Sequence, residues 1–241
     1  MNSSVILLIS LLTLSVVLCM SVPHNESLST SVNAKACQIN QTFGYVLLAV
    51  QWVPTFCNNT RCGSRNRNSW TVHGAWPQHT NNSWPQYCCF ESTFNVSKIK
   101  SLESQLIQKW PTLKENGKHE DFWKHEWTKH GTCAMNSDKL KGHFNYFNHT
   151  LHLYDSFPLQ SWLQSSNIKA SNTTTYSLIN IHNAVESRLG AKVELECLSK
   201  KPYPLLQHIY ICLNRLTLKP QDCNRPDDKQ CGITSVKLPL A

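Results

Sequence analysis

The sequence predicts an α+β fold: one domain in which an antiparallel β-sheet is flanked by several α-helices and stapled by disulfides. Three observations carry that prediction. Strand-like and helical patterns are segregated along the chain, with strands near both ends and helices between them. No internal repeat or low-complexity linker divides the 241 residues, so one domain accounts for residues 37–241. The chain also holds 11 cysteines, far more than packing alone calls for.

The elements follow in order. Residues 43–52 are rich in β-branched and aromatic side chains and end at Pro54, as a buried strand does. Residues 57–68 are polar and Arg-rich, which suits a stapled loop. Residues 69–73 read as a second short strand, broken by Gly74 and Pro77. From Asn95 the period changes: Val96, Ile99, Leu102, Leu106 and Trp110 recur at spacings of three and four, and Pro111 closes the run. Residues 120–130 form a further helix, stopped by Gly131 at the C′ position. Residues 140–157 carry a helical stripe of aromatics, and residues 177–189 give one more helix ending at Gly190. Residues 192–198 and 206–213 alternate apolar and polar, as half-buried strands do.

Composition sets the class of partner and compartment. Hydrophobic residues make up 41% and charged residues 16%, a globular balance that excludes intrinsic disorder. A net charge of +8 attracts polyanions: nucleic acid, anionic membrane or acidic glycans. Residues 5–18 are a nearly unbroken apolar run, too short to span a membrane, with small residues such as Ser21 after it. This reads as a secretory signal peptide over residues 1–21, its cleavage point lying anywhere from Cys19 to Ala36. No later stretch is long and apolar enough to be a membrane span, so stable membrane association is not expected. Without Cys19, an even set remains: Cys37, Cys57, Cys62, Cys88, Cys89, Cys133, Cys197, Cys212, Cys223 and Cys231. Such a set in an exported chain is a disulfide framework. Sequons at Asn25, Asn40, Asn58, Asn81, Asn95, Asn148 and Asn172 point to the same extracellular route.

Two segments carry the chemistry: Trp70-Thr71-Val72-His73-Gly74-Ala75-Trp76-Pro77, and Phe122-Trp123-Lys124-His125-Glu126-Trp127-Thr128-Lys129-His130-Gly131-Thr132-Cys133. On a helix Glu126 and His130 share one face, and His125 pairs with Lys129 beside them. A solvated surface helix rarely gathers two imidazoles, a carboxylate and an ammonium next to three large aromatics. The zincin pattern requires two His four apart; here they are five apart, roughly 140° around the helix. Lys129 stands where the second ligand belongs, and its ammonium repels a divalent cation. The residues therefore call for no metal and no cofactor. They suit acid–base work on an RNA phosphodiester, which brings its own 2′-OH nucleophile and needs a base, an acid and cations. Trp76, Phe122 and Trp123 add flat surface on which unpaired bases stack.

At these two segments the chain resembles the ribonuclease T2 family of secretory endoribonucleases, from about Phe43 to the C-terminus. The resemblance implies a catalytic pair, with His130 the base toward the 2′-OH and His73 the acid toward the leaving group. Glu126 and Lys129 would polarise the phosphate and stabilise the transition state, and His125 would hold the phosphate. Trp76 would stack a base in one subsite and Phe122 in the other. It also implies the staples Cys57–Cys62, Cys89–Cys133 or Cys88–Cys133, Cys197–Cys231 and Cys212–Cys223, which leaves Cys37 with the remaining member of the Cys88/Cys89 pair. Tyr87-Cys88-Cys89-Phe90, the stretch from Tyr176 to Ala184, and Cys231-Gly232-Ile233-Thr234 are similar to plant members, either stylar S-ribonucleases or S-like enzymes. A pI of about 8.9 leans toward the first. Ala75 replaces a bulky aliphatic residue, and Gln78 stands where many members carry an acidic base-reading residue.

The resulting expectation is a secreted endoribonuclease acting on single-stranded RNA through a 2′,3′-cyclic phosphate to 3′-phosphate ends. Its expected setting is gametophytic self-incompatibility, with a protein partner in self/non-self recognition. An S-like housekeeping or stress enzyme, or a recognition or cytotoxic glycoprotein on the same fold, are the alternatives. A monomer is the default.

Overall fold

The computed structural model describes residues 37, 42–63, 68–223, 228–232 and 235–241. The expected signal segment at residues 1–21, its cleavage range to residue 36, and the sequons at Asn25 and Asn40 lie outside the described residues. Among the described residues the order is β1 (Tyr45–Trp52), α1 (Val53–Asn59), β2 (Trp70–Gln78), a 3-10 segment (Val96–Leu102) leading into α2 (Glu103–Lys109), and α3 (His119–Lys129). A second 3-10 segment (Gly131–Asn136), α4 (His143–Ser156), α5 (Leu159–Ser165), β3 (Tyr176–Ser177), α6 (Leu178–Leu189), β4 (Glu194–Leu198), β5 (Leu205–Asn214) and β6 (Ser235–Val236) follow. The main sheet is antiparallel in the order β2-β1-β5-β4, and β3 pairs with β6. This is the α+β architecture that the segregated patterns predict.

β1 is buried along its whole length because both sheet faces are covered. Val46, Leu48 and Val50 join the helices in the large core, which includes Trp110, Trp123, Trp127, Tyr146 and Phe147. Tyr45, Leu47 and Ala49 pack with Tyr210 and Cys212 on the other face, and Trp76 leans against them. The same cover corrects the expectation for residues 206–213: β5 is buried at every position except Gln207 and Asn214 rather than on alternate ones.

Three other expectations are corrected. β2 does not break at Gly74 and Pro77 but runs on to Gln78. It is an edge strand, so a proline without an N–H leaves no ladder bond unmade on its open side. Pro54 does not simply end β1; it sits in the first turn of α1, where its missing N–H costs nothing. Gly131 is not a left-handed stop either. His130 caps α3 and the chain tightens at once into the 3-10 segment. A side chain at Gly131 would strike the Trp127 ring. By contrast Gly190 ends α6 in the left-handed region, φ 71°, as the C′ reading requires. Helix α5 had no counterpart in the sequence reading.

The disulfides are Cys57–Cys62, Cys88–Cys133, Cys197–Cys231, Cys212–Cys223 and Cys37–Cys89. The Cys89–Cys133 alternative is thereby excluded: Cys88 takes Cys133, and Cys89 takes Cys37. Cys88–Cys133 ties the loop after β2 to the 3-10 segment that follows α3, so it links the chain next to both conspicuous motifs. Asn58, Asn81, Asn95 and Asn172 are exposed. Asn148 lies half-buried on α4, and Thr150 of its sequon is fully buried, donating to the Tyr146 carbonyl at 2.7 Å.

Candidate active site

The bulge in β2 is where the site begins. Gly74 pairs with Ala49 and Val72 with Val50, so His73 is the extra residue between them. A bulge re-aims the side chain of its inserted residue, and His73 turns toward the face that carries Trp76 and His208. Gly74 is needed for the same construction. A Cβ there would collide with Trp76 Nε1 and Glu126 Oε2, which are joined by a hydrogen bond in which the indole donates at 2.9 Å. That bond fastens β2 to α3.

α3 supplies the rest. Trp123 and Trp127 bury one side of it in the large core and set its rotation. Its final turn presents His125, Glu126 and Lys129, and its cap presents His130, whose backbone N–H donates to the Glu126 carbonyl at 3.0 Å. The His130 ring stacks on Trp76, centroids 5.2 Å apart and 29° between planes. Its Nδ1 is buried without a hydrogen-bond partner among the described residues.

Burial governs the protonation states. It pushes the Glu126 carboxyl up to about 8, against the Trp76 hydrogen bond and the Lys129 charge. Burial, with Lys129 and His125 adding to it, brings His130 down to about 3. His73 is held well below the ordinary imidazole value by burial first and then by His208 and His130, with Glu196 pulling the other way. His125 is lowered by partial burial and by Lys129 and Lys114.

Two cavities meet on this cluster. One, of about 240 Å³, is lined by His73, His125, Glu126, Lys129, His130, Trp76, Gln78, Trp84, Tyr210, Lys229 and Leu47. The other, of about 550 Å³, carries Phe122, Phe56, Pro111 and Lys114. His73, His125 and Glu126 line both. The structure thus brings His73, Trp76, His125, Glu126, Lys129 and His130 into one pocket and sets Phe122 in its neighbour. Gln78 is buried and its Nε2 donates to the Pro77 carbonyl at 3.0 Å. Trp123, offered as a stacking surface, is a core residue whose indole donates to the Trp110 carbonyl at 2.8 Å.

Other residues at the site were not anticipated. His208 and Tyr210 on β5 and Glu196 on β4 approach it across the sheet face that carries Trp76, and Lys229 joins Tyr210 in lining the first cavity. His73 Nδ1 lies 3.0 Å from His208 Nε2, and His208 Nδ1 lies 2.7 Å from Glu196 Oε2. The latter contact is approached off the ring N–H axis, so it is an ion-pair distance rather than a well-formed hydrogen bond. Tyr210 Oη donates to the same Glu196 oxygen at 2.5 Å. In the sequence the only trace of this arrangement is a histidine and a tyrosine two apart in a strand.

Comparison with known proteins gives a consistent result. A family model described as the Ribonuclease T2 family matches residues 43–223. Ribonuclease DdI of Dictyostelium discoideum is 34% identical over 198 residues, covering 82% of this chain and 85% of that protein. Ribonuclease T2 of Sus scrofa is 34% identical over 202 residues, covering 80% and 96%. Extracellular ribonuclease LE of Solanum lycopersicum is 30% identical over 204 residues, covering 82% and 87%. Among solved structures, RNase NT in complex with 5′-AMP superimposes with a TM-score of 0.75 at 28% identity, over 83% of this chain and all of that one.

Proposed function

The chain belongs to the ribonuclease T2 family, and we propose that it cleaves single-stranded RNA with His130 as base and His73 as acid. The observation that carries this reading is the pair of cavities meeting on His73, His125 and Glu126, one walled by Trp76 and the other by Phe122. A phosphodiester seated on the shared cluster sends its two bases to opposite sides, each toward an aromatic ring.

His130 is neutral over most of the pH range and accepts the 2′-OH proton as the oxygen attacks phosphorus. His73, once protonated, gives its proton to the departing 5′-oxygen and leaves a 2′,3′-cyclic phosphate. Hydrolysis to the 3′-phosphate runs with the roles exchanged. Lys129 and His125 set cationic donors at the phosphate. Glu126, kept protonated at neutral pH by burial, adds no repulsion there and has an O–H to donate. The Trp84 ring and the Lys229 ammonium extend the first cavity toward a base and its phosphate.

Digestion of single-stranded RNA with EDTA present tests the assignment. Cyclic-phosphate products are expected from the intact protein, and His130→Ala should slow their formation by about a thousandfold or more, as expected for loss of a proton-transfer group. Near-normal rates in that variant, or cleavage abolished by EDTA, would sink it.

The finer setting is also a proposal. We read residues 1–21 as a signal peptide and the enzyme as extracellular. The even cysteine set closed into disulfides, the exposed sequons and the likeness to a relative named extracellular all support this. Sequencing the N-terminus of secreted protein checks it. A self-incompatibility role with a protein partner rests on the basic charge. The spread of relatives across Dictyostelium and pig favours a housekeeping role instead. Stylar restriction of the transcript supports the former, and expression in leaf or root the latter.

A further inference from the structure

The chain His73–His208–Glu196 draws on β2, β5 and β4 and passes over β1, and an irregularity in the ladder falls at each of its ends. His73 is the inserted residue of the β2 bulge. His208 and Glu196 are direct cross-strand partners, and the next register shift falls immediately after Glu196. His208 is 4% exposed and stacks on both His73 and Tyr210. The β2 bulge and the regular β4–β5 pairing thus line up a buried imidazole between an active-site imidazole and a carboxylate.

The proton positions follow from the distances. Glu196 is ionised: burial works to raise it, but His208 and Tyr210 outweigh burial and bring it to about 2. With the Glu196 carboxylate 2.7 Å from His208 Nδ1, even off the N–H axis, a proton on Nδ1 is favoured over a lone pair beside the negative charge. With that proton on Nδ1, His208 Nε2 is free to accept, and the 3.0 Å contact is satisfied when His73 Nδ1 is the donor. His73 is left with Nε2 as the nitrogen that faces the reaction.

We propose that His208, anchored by Glu196, is a positioning residue that fixes the tautomer and orientation of His73, so that Nε2 alone exchanges the proton with the 5′-oxygen. This rests on the ribonuclease reading of the site. Atoms balance without a co-reactant: His73 Nε2–H moves to the leaving oxygen, while Nδ1–H stays on His73 and the His208 proton stays beside Glu196. The logic is that of a carboxylate orienting a histidine in a hydrolase triad, with a second imidazole inserted between them. Removing the Glu196 charge should also lower the affinity of His73 for its proton. His208, His130 and His125 oppose that proton, and among the groups acting on His73 Glu196 favours it.

The test uses His208→Leu, His208→Gln and Glu196→Gln, with His73→Ala as the control. His208→Leu should lose about tenfold or more in kcat with KM nearly unchanged, and His208→Gln, whose amide oxygen still accepts Nδ1–H, should recover part of it. Glu196→Gln should move the alkaline limb of the rate profile to lower pH. Imidazole nitrogen NMR should show His73 with Nδ1 protonated in the wild type and a mixture of tautomers in His208→Leu. That spectrum does not depend on turnover and is read on folded protein. If His73→Ala is inactive but the His208 and Glu196 variants keep wild-type kcat, pH limb and tautomer, losing only melting temperature, the relay is overturned and the ribonuclease site stands. If His73→Ala remains active, the site assignment itself fails.

Discussion

Two histidine–carboxylate clusters in this molecule use the same residue types to opposite ends. At the active site His73 meets its carboxylate only through His208, and burial leaves it well below the ordinary imidazole range. Between α6 and β4, His182 touches two carboxylates directly: Glu186 at 2.9 Å from Nδ1 and Asp228 at 2.8 Å from Nε2. Its hydrogen bond to Asp228 leads the effects that raise it above the ordinary value, with burial opposing. Both carboxylates also accept from the backbone, Glu186 from Val193 N at 3.0 Å and Asp228 from Leu195 N at 2.9 Å. His182 therefore works as a strut that holds its proton to join a helix, a strand and the residue-228 segment. His73, by contrast, holds a proton less firmly than an ordinary imidazole, as the acid role proposed for it requires. Deeper burial, together with an imidazole set between His73 and its carboxylate, separates the two.

The largest effect expected comes from breaking the geometry on the catalytic side. Gly74→Ala places a methyl where Trp76 and Glu126 meet, so the bond fastening β2 to α3 must open. Activity should fall by about a hundredfold, the scale for misplacing an otherwise intact catalytic group. Gly190→Ala, at the end of the helix that carries His182, strains only a left-handed backbone and should cost about 1 kcal/mol with kcat unchanged. RNA cleavage and thermal melts of the two variants decide the matter, and equal activity losses would erase the contrast.

A smaller effect separates the clusters by pH. The base must be neutral, so the rate rises as pH passes upward through the His130 pKa, near 3. The acid must be protonated, so the rate falls as pH passes upward through the lowered pKa of His73. kcat/KM should therefore peak on the acid side of about pH 6.5, the reference imidazole value. A plateau extending to pH 8 would show that the free enzyme holds the His73 proton as firmly as it holds that of His182.

The legibility of these two regions in the sequence differs for a physical reason. The helical half was readable because a 3.6-residue period records which face is buried: Ile99, Leu102, Leu106 and Trp110 face the core as their spacing says. The same period placed Glu126, His130, His125 and Lys129 together at one end of α3. His73 could be picked out beside Trp76, but not the bulge that aims it, since a bulge is a property of two strands and only one is visible at a time. His208, Glu196 and the Asp228 partner of His182 escaped for the same cause: His208 lies 135 residues from His73, Glu196 14 from Tyr210, and Asp228 46 from His182. Continuation of β2 through Pro77 was hidden likewise, because whether a strand lies at an edge is decided by the others. The cysteine framework told of staples but not which of two adjacent cysteines points to Cys133.

The smallest effect tests the strut alone. A group whose pKa is raised on folding stabilises the protein while pH lies below its unfolded value, about 6.5 for imidazole. That contribution is lost as pH rises through the higher folded value. His182→Gln should therefore lower stability by about 1–2 kcal/mol near pH 5, the scale for hydrogen bonds to charged groups, and by clearly less near pH 8.5. Thermal melts of variant and wild type at both pH values supply the difference, and taking it cancels the titration of groups that His182 does not touch. His182 lines neither cavity, although its partner Asp228 precedes Lys229, so kcat should change far less than stability. A gap of equal size at both pH values would mean that His182 is neutral in the folded protein. The two clusters would then differ in packing alone, and proximity of the carboxylate would no longer explain why one histidine keeps its proton and the other gives it up.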